Sequence, residues 1–205
     1  KLQLATLALV LAMLAGFGGM TPTRAAEPPT VMIVFDGSGS MWGQPEGDKR
    51  NKMTVAREAI RAGASRLMPD TRIGLVTFGH RRSGDCGDVE LAVRPEAGAG
   101  DRVSAVLEKL NPRGRGPITT ALREAARSLG PAGSAATLLL IHDDPDNCQL
   151  DPCSALADLK QENPNVVVHV VSIGVKHDEA LRMTCLTRGT GGKHFETSTA
   201  PQIAE

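Results

Sequence analysis

Two short stretches concentrate the residue types that hold hard cations or move protons. Asp36-Gly37-Ser38-Gly39-Ser40 sets three oxygen-bearing side chains at alternate positions, separated by glycines that let the backbone curl. His142-Asp143-Asp144 adds two carboxyls and an imidazole much later in the chain. If the two stretches meet, Asp36, Ser38, Ser40 and Asp143 form an all-oxygen set suited to a hard divalent cation. Mg²⁺ keeps several waters beside a few protein oxygens of this kind. His142 is read as a hydrogen-bonded histidine rather than a ligand, because hard-cation sites rarely use imidazole.

The same residues also bear on catalysis. An Asp at a strand tip also suits phosphoryl transfer of the haloacid-dehalogenase type, with Asp143-Asp144 as a late acidic pair. That chemistry needs a second Asp two residues after the nucleophile, and Ser38 stands there without acid/base capacity. It stays the weaker alternative, and the chain is expected not to be an enzyme. No Gly-x-Ser-x-Gly elbow surrounds Ser38 or Ser40. Neither a phosphate-binding Walker loop nor a dinucleotide fingerprint is present. His80 and Cys86 suggest a Cys–His nucleophile, but a disulfide is the expected state of Cys86 if the chain is exported.

Four continuous apolar runs read as strands buried on both faces: Val31 to Phe35, Ile73 to Phe78, Thr137 to Ile141 and Val166 to Ile173. Val89, Leu91 and Val93 alternate as in an antiparallel edge strand, and Lys193 to Thr197 is a last short strand. Helices are predicted over Lys52 to Met68, around Val103 to Leu110, and from Pro117 to Leu129 with Gly130 as its stop. Two more run from Asp151-Pro152 to Lys160 and from Asp178 to Thr187, the latter ended by Gly189. Strands alternating with helices predict an α/β fold: a doubly wound, mostly parallel central sheet with one antiparallel edge strand and helices on both faces. Both acidic stretches then sit at C-terminal strand ends, where such sheets bind ligands.

The chain of 205 residues carries 23 Lys+Arg against 23 Asp+Glu, which argues against nucleic acid or an anionic membrane as a bulk electrostatic partner. Aromatics make up only 2%, too few for a base-stacking platform. Residues 1–26 read as a cleaved signal peptide: Lys1, the apolar Leu4 to Gly19, then Thr23-Arg24-Ala25-Ala26. Residues 27–30 form a lead-in, 31–197 the domain and 198–205 a tail. The expected location is periplasmic or secreted, with no membrane insertion after cleavage. Export makes disulfides the expected state of Cys86, Cys148, Cys153 and Cys185. Irregular spacings without a Cys-x-x-Cys pair disfavour zinc. Of three possible connectivities, the predicted loop and helix positions favour Cys86–Cys148 and Cys153–Cys185.

The pattern resembles the von Willebrand factor A domain family. Asp36, Ser38 and Ser40 match the D-x-S-x-S of its metal-ion-dependent adhesion site, and Asp143 matches the later acidic position. Gly191-Gly192 precedes the last strand as in the family, and the resemblance runs from Val31 to about Phe195. The chain resembles bacterial exported members, with Gly79-His80-Arg81-Arg82 after the second strand and paired cysteines after the fourth. The resemblance implies Mg²⁺, or else Mn²⁺ or Ca²⁺, held directly by Ser38 and Ser40 and through waters by Asp36 and Asp143. It also implies a partner carboxylate completing the coordination. The pattern breaks at Gly116, where the family places a liganding Thr; Thr119 and Thr120 lie just beyond, inside the first helical turn. Asp144 either restores ligand charge or marks a degenerate site, so a metal-free contact module is the alternative.

The predicted topology brings His80, Arg81, Arg82, Arg113 and Arg115 to the same end of the sheet. They are read either as a solvated rim or as a collar steering an acidic partner. Trp42 is either core filler or a contact residue beside the site. The functional reading is an exported protein–protein interaction or scaffolding module that binds an acidic group of a protein partner.

Overall fold

The computed structural model describes residues 27–129 and 134–197. The predicted signal segment 1–26, Gly130 as a helix stop and the tail 198–205 lie outside the described residues.

The four apolar runs become β1 (Thr30–Asp36), β2 (Arg72–Phe78), β4 (Ala136–His142) and β5 (Val166–Ile173). The sheet order is β3-β2-β1-β4-β5-β6. β1 lies parallel to both neighbours, with Ile33 in register with Leu75 and Leu139. β6 (His194–Thr197) adds a parallel edge. The alternating segment forms β3 (Val89–Ala97), antiparallel to β2 at the other edge. Pro95 sits on that edge strand, where a missing N–H is tolerated.

Parallel neighbours require crossover connections, supplied here by helices on both faces. α1 (Lys52–Ala64) joins β1 to β2. α2 (Gly100–Lys109) and α3 (Ile118–Arg127) lie between β3 and β4. α4 (Ala155–Glu162) precedes β5, and α5 (His177–Ala180) with α6 (Thr184–Thr190) precedes β6. The alternation of side chains along each strand divides the core in two. Met32, Val34, Leu138, Leu140, Val168 and Val170 pack with α3, α4 and α6. Ile33, Phe35, Leu75 and Ile141 pack with Met53 and Ile60 of α1 and Leu107 of α2.

Helix ends depart from the sequence expectation. α1 stops at Ala64, not Met68. Leu67 and Met68 are exposed, so no burial rewards a further turn, and Pro69 disfavours helical geometry at the residue before it. The helix expected from Asp151 opens with a 3₁₀ turn, Pro152–Ser154, capped by the Asp151 side chain on the Cys153 N–H. The single helix expected over Asp178 to Thr187 is broken into α5, a 3₁₀ turn and α6. Its stop is Gly191, at φ +74°, rather than Gly189. Gly189 lies inside α6 for packing: a Cβ there would come within 2.5 Å of the Leu156 side chain.

Candidate functional site

β2 lies to one side of β1 and β4 to the other, so the chain order reverses between β1 and β4. The crevice beyond their C-terminal ends is the expected ligand position in such a sheet. Asp36 is the last residue of β1, and Asp143 directly follows β4. The intervening loop turns sharply because Gly37 can approach β2: its N–H donates to Phe78 O over 2.8 Å. A Cβ at Gly37 would lie 2.7 Å from the His80 Cβ, so only glycine fits. The Ser38 N–H then donates to Asp36 Oδ1 over 2.7 Å, closing an Asx turn.

The hydroxyls carry the connection to β4. Ser40, in the 3₁₀ turn Gly39–Trp42, donates to Asp143 Oδ1 over 2.6 Å. With that proton committed, Ser38 is the donor across the 3.0 Å contact between the two Oγ atoms. The structure thus brings Asp36, Ser38, Ser40 and Asp143 into one cluster.

Asp36 is fully buried, and its Oδ2 takes no hydrogen bond. Burial first, and the neighbouring Asp143 second, push its carboxyl up to about 8 against the hydrogen bonding from Ser38. A sealed, unpartnered carboxylate oxygen beside a second carboxylate is costly unless a cation or proton meets it. The donor set, two carboxyls and two hydroxyls, therefore fits a hard divalent ion. Among the described residues no three His, Cys, Asp or Glu side chains are grouped to hold a metal. The cluster depends on its serines.

Lys52 also enters the site, although nothing in the sequence tied it to Asp143. It opens α1, whose N-cap Asn51 accepts from the Thr54 N–H. Its Nζ donates to Asp143 Oδ2 over 2.9 Å.

His142 is fully buried and engaged at both ring nitrogens. Nδ1 donates to Asp144 O over 2.9 Å, and Nε2 accepts from Ser172 Oγ over 2.7 Å. Ser172 in turn accepts from His194 Nε2 over 2.8 Å. Burial lowers the His142 pKa to about 4, which keeps the ring neutral. Its work is to hold the β4 tip.

Thr119 is turned away from the cluster. Its N–H and Oγ1 both donate to Asp146 Oδ2, over 2.8 and 2.7 Å. Asp146 also accepts from the Cys148 N–H and so caps α3 from another loop, a role that Pro117 at the N-cap cannot fill. Sequence spacing carries no signal for a cap supplied from so far along the chain. The Gly116 N–H donates to Asn147 Oδ1 over 2.8 Å.

The basic rim proves mixed. Arg81 clamps the buried Asp88 and lies 3.5 Å from Glu90. Arg82 pairs with Asp85, and His80 with Glu90. The Arg113 and Arg115 side chains donate to the carbonyls of Arg81 and Asn147 and meet no carboxylate among the described residues. The Arg113 and Gly114 backbone lies along the motif loop, with Arg113 N–H on Gly37 O and Gly39 N–H on Gly114 O. Trp42 is 54% exposed, and its indole N–H donates to Pro112 O. It belongs to the surface beside the cluster, not to the core. A disulfide joins Cys86 to Cys148, tying the loop after β2 to the loop after β4, and a second joins Cys153 to Cys185.

A family model for the von Willebrand factor type A domain matches residues 31–145, and the chain belongs to that family. No curated protein matches the sequence. Among solved structures, the fold is similar to an aerotolerance-related membrane protein from Bacteroides fragilis carrying multiple mutations to serines. That pair shares 17% identity at a TM-score of 0.66, over 85% of this chain and 95% of the other. A von Willebrand factor type A protein from Catenulispora acidiphila gives 18% identity and a TM-score of 0.69, over 88% of this chain and 41% of its own. Proximal thread matrix protein 1 from the mussel byssus, with a zinc-occupied MIDAS motif, gives 17% and 0.63, over 86% of this chain and 43% of its own. The chain spans less than half the length of the latter two. At these identities the likeness concerns the fold.

Proposed function

We propose that this chain is an exported recognition module that binds an acidic group of a protein partner through a divalent cation at the tips of β1 and β4. The observation that carries this reading is the sealed, unpartnered Asp36 Oδ2 within a cluster completed by Ser38, Ser40 and Asp143. Those four residues would hold the ion, and the ion would supply the positive charge that a partner carboxylate meets. The mussel protein's zinc-occupied motif supports cation binding on this fold. Arg113 and Arg115, free of carboxylate partners among the described residues, would favour an acidic group by long-range attraction. Trp42 beside them offers an amphipathic contact.

Export rests on the apolar segment Leu4 to Gly19 and on the two disulfides, which persist in oxidising compartments. A periplasmic or secreted location follows. Among the described residues no helix is long and apolar enough to cross a membrane.

A metal-free contact module is the second reading, favoured by the ion pair between Lys52 and Asp143. The sole tryptophan, with no tyrosine in the chain, makes the test direct. Titration with paramagnetic Mn²⁺ should quench Trp42 emission saturably, with matching heat by calorimetry, and Asp36→Ala should remove both signals. A wild type giving neither signal would establish the metal-free reading.

A further inference from the structure

We infer that Lys52 is the built-in counter-ion of the strand-tip cluster and competes with the divalent cation for Asp143. The inference rests on the reading that Asp36, Ser38, Ser40 and Asp143 take such an ion.

The lysine is held in place from both ends. Its backbone N–H donates to Gly43 O over 2.7 Å, and the Gly43 N–H donates to Ser40 O over 2.8 Å. The start of α1 is thereby stitched to the turn that presents Ser40. Its side chain is only 14% exposed and ends on a carboxylate that is 0% exposed. The tail runs through a slot between Gly43 and Gly174, on the loops after β1 and β5. A Cβ at Gly43 would lie 3.6 Å from the Lys52 Cε, and one at Gly174 3.3 Å. A surface lysine that reached Asp143 by chance would need no such slot.

The chemistry follows from charge. Two carboxylates in one buried cluster repel each other, and an ammonium on one of them relieves part of that repulsion without any metal. A divalent ion drawing on Asp143 then meets a like charge that it must displace. Lys52 can yield, because its ammonium is a point charge on a flexible four-carbon stem. Lys52 therefore sets the divalent concentration at which the site fills, and keeps the tips of β1 and β4 together when it is empty.

The test is calorimetric Mn²⁺ titration of the full chain as wild type, Lys52→Met, Lys52→Gln and Asp36→Ala. Thermal melts with EDTA and with Mn²⁺ accompany it. Both lysine variants should bind Mn²⁺ about tenfold more tightly or better, as expected when a like charge close to the ion is removed. They should also melt lower than wild type in EDTA, with Mn²⁺ restoring more in them than it adds to wild type. Wild type binding Mn²⁺ while both lysine variants bind it equally or more weakly would overturn the competition and leave the metal reading intact. No binding by wild type or by either lysine variant would overturn the metal reading and this inference together. If Lys52→Met does not fold, Lys52→Gln, which keeps a polar tip in the slot, decides alone.

Discussion

Ser40 donates a 2.6 Å hydrogen bond to Asp143, a residue 103 positions further along the chain. This bond closes the crevice between β1 and β4 and passes the Ser38 hydroxyl into the same network. Ser40→Ala leaves the buried Asp143 carboxylate short of a donor and should cost about 1–3 kcal/mol of stability, the usual penalty for a lost partner. Urea denaturation measures that loss. Mn²⁺ affinity should fall in the same variant, since the proposed site loses one of its hydroxyl oxygens. Unchanged stability and affinity together would show that the contact carries neither role.

Much of the site was legible because its carriers are local. The runs Val31 to Phe35 and Thr137 to Ile141 announce buried strands, and the residues that follow them must lie at strand tips. Asp36, Ser38, Ser40 and Asp143 could be placed on that ground alone. Lys52 could not, since its partner depends on where the first turn of α1 meets β4 in space. The arginines stay open in the sequence between a solvated rim and a steering collar, because their partners depend on how the loop between β2 and β3 folds back; it pairs Arg81 with Asp88 and Arg82 with Asp85. The helix ends were missed where burial, not propensity, decides the last turn, as at Leu67 and Met68.

The two disulfides should matter unequally. Cys86–Cys148 closes a 62-residue separation and Cys153–Cys185 one of 32. Chain-entropy arguments give each about 4 kcal/mol, so the distinction must come from what each bond holds. The first clips the loops above the site, and the second ties the turn before α4 to α6. Removing the pair Cys86→Ser with Cys148→Ser should lower the melting temperature and also weaken Mn²⁺ binding. Removing the pair Cys153→Ser with Cys185→Ser should lower the melting temperature alone. Non-reducing peptide mapping of the wild type should recover both cross-links and no free thiol. Equal effects of the two double variants on cation affinity would show that the first clip does not organise the site.

Asp88 gives the fold an acid-sensitive point away from the cluster. Burial pushes its carboxyl up, but the Arg82 N–H, the Arg81 guanidinium and the Arg81 N–H outweigh that and hold it below the usual carboxylate range. A group whose folded pKa is depressed adds stability above its unfolded pKa and loses it as pH falls through the folded value. The contribution should be full above about pH 4, the ordinary Asp value, and disappear below it. Asp88→Asn should cost about 2 kcal/mol at neutral pH, because a buried charge-assisted network loses its anion. The gap between variant and wild type should close as the pH falls below 4. A gap that stays constant down to about pH 2 would assign the loss to shape rather than charge.

Gly116 offers the most direct gain-of-function test of the cluster. The family resemblance places a liganding threonine there, and Thr119, the nearest buried threonine, is spent on Asp146. The position can accept a side chain. A Cβ on Gly116 would meet the Phe78 ring and Pro145 O at 3.9 Å and Asn147 Nδ2 at 4.0 Å, ordinary contact distances, and its backbone is outside the left-handed region. Steric strain is therefore not expected, and ordering a glycine loop should slightly favour folding. Gly116→Thr adds one hard oxygen donor beside the strand tips, so Mn²⁺ and Mg²⁺ should bind several-fold more tightly than in wild type. Arg115 next to it carries an opposing charge, which makes Gly116→Thr with Arg115→Gln the stronger pairing. Side-by-side calorimetry of wild type, both variants and Asp36→Ala in one buffer measures the series. The expected order of affinity is the double variant, Gly116→Thr, wild type, and then Asp36→Ala with no binding. Equal affinity across all four would move the cation away from the tips of β1 and β4.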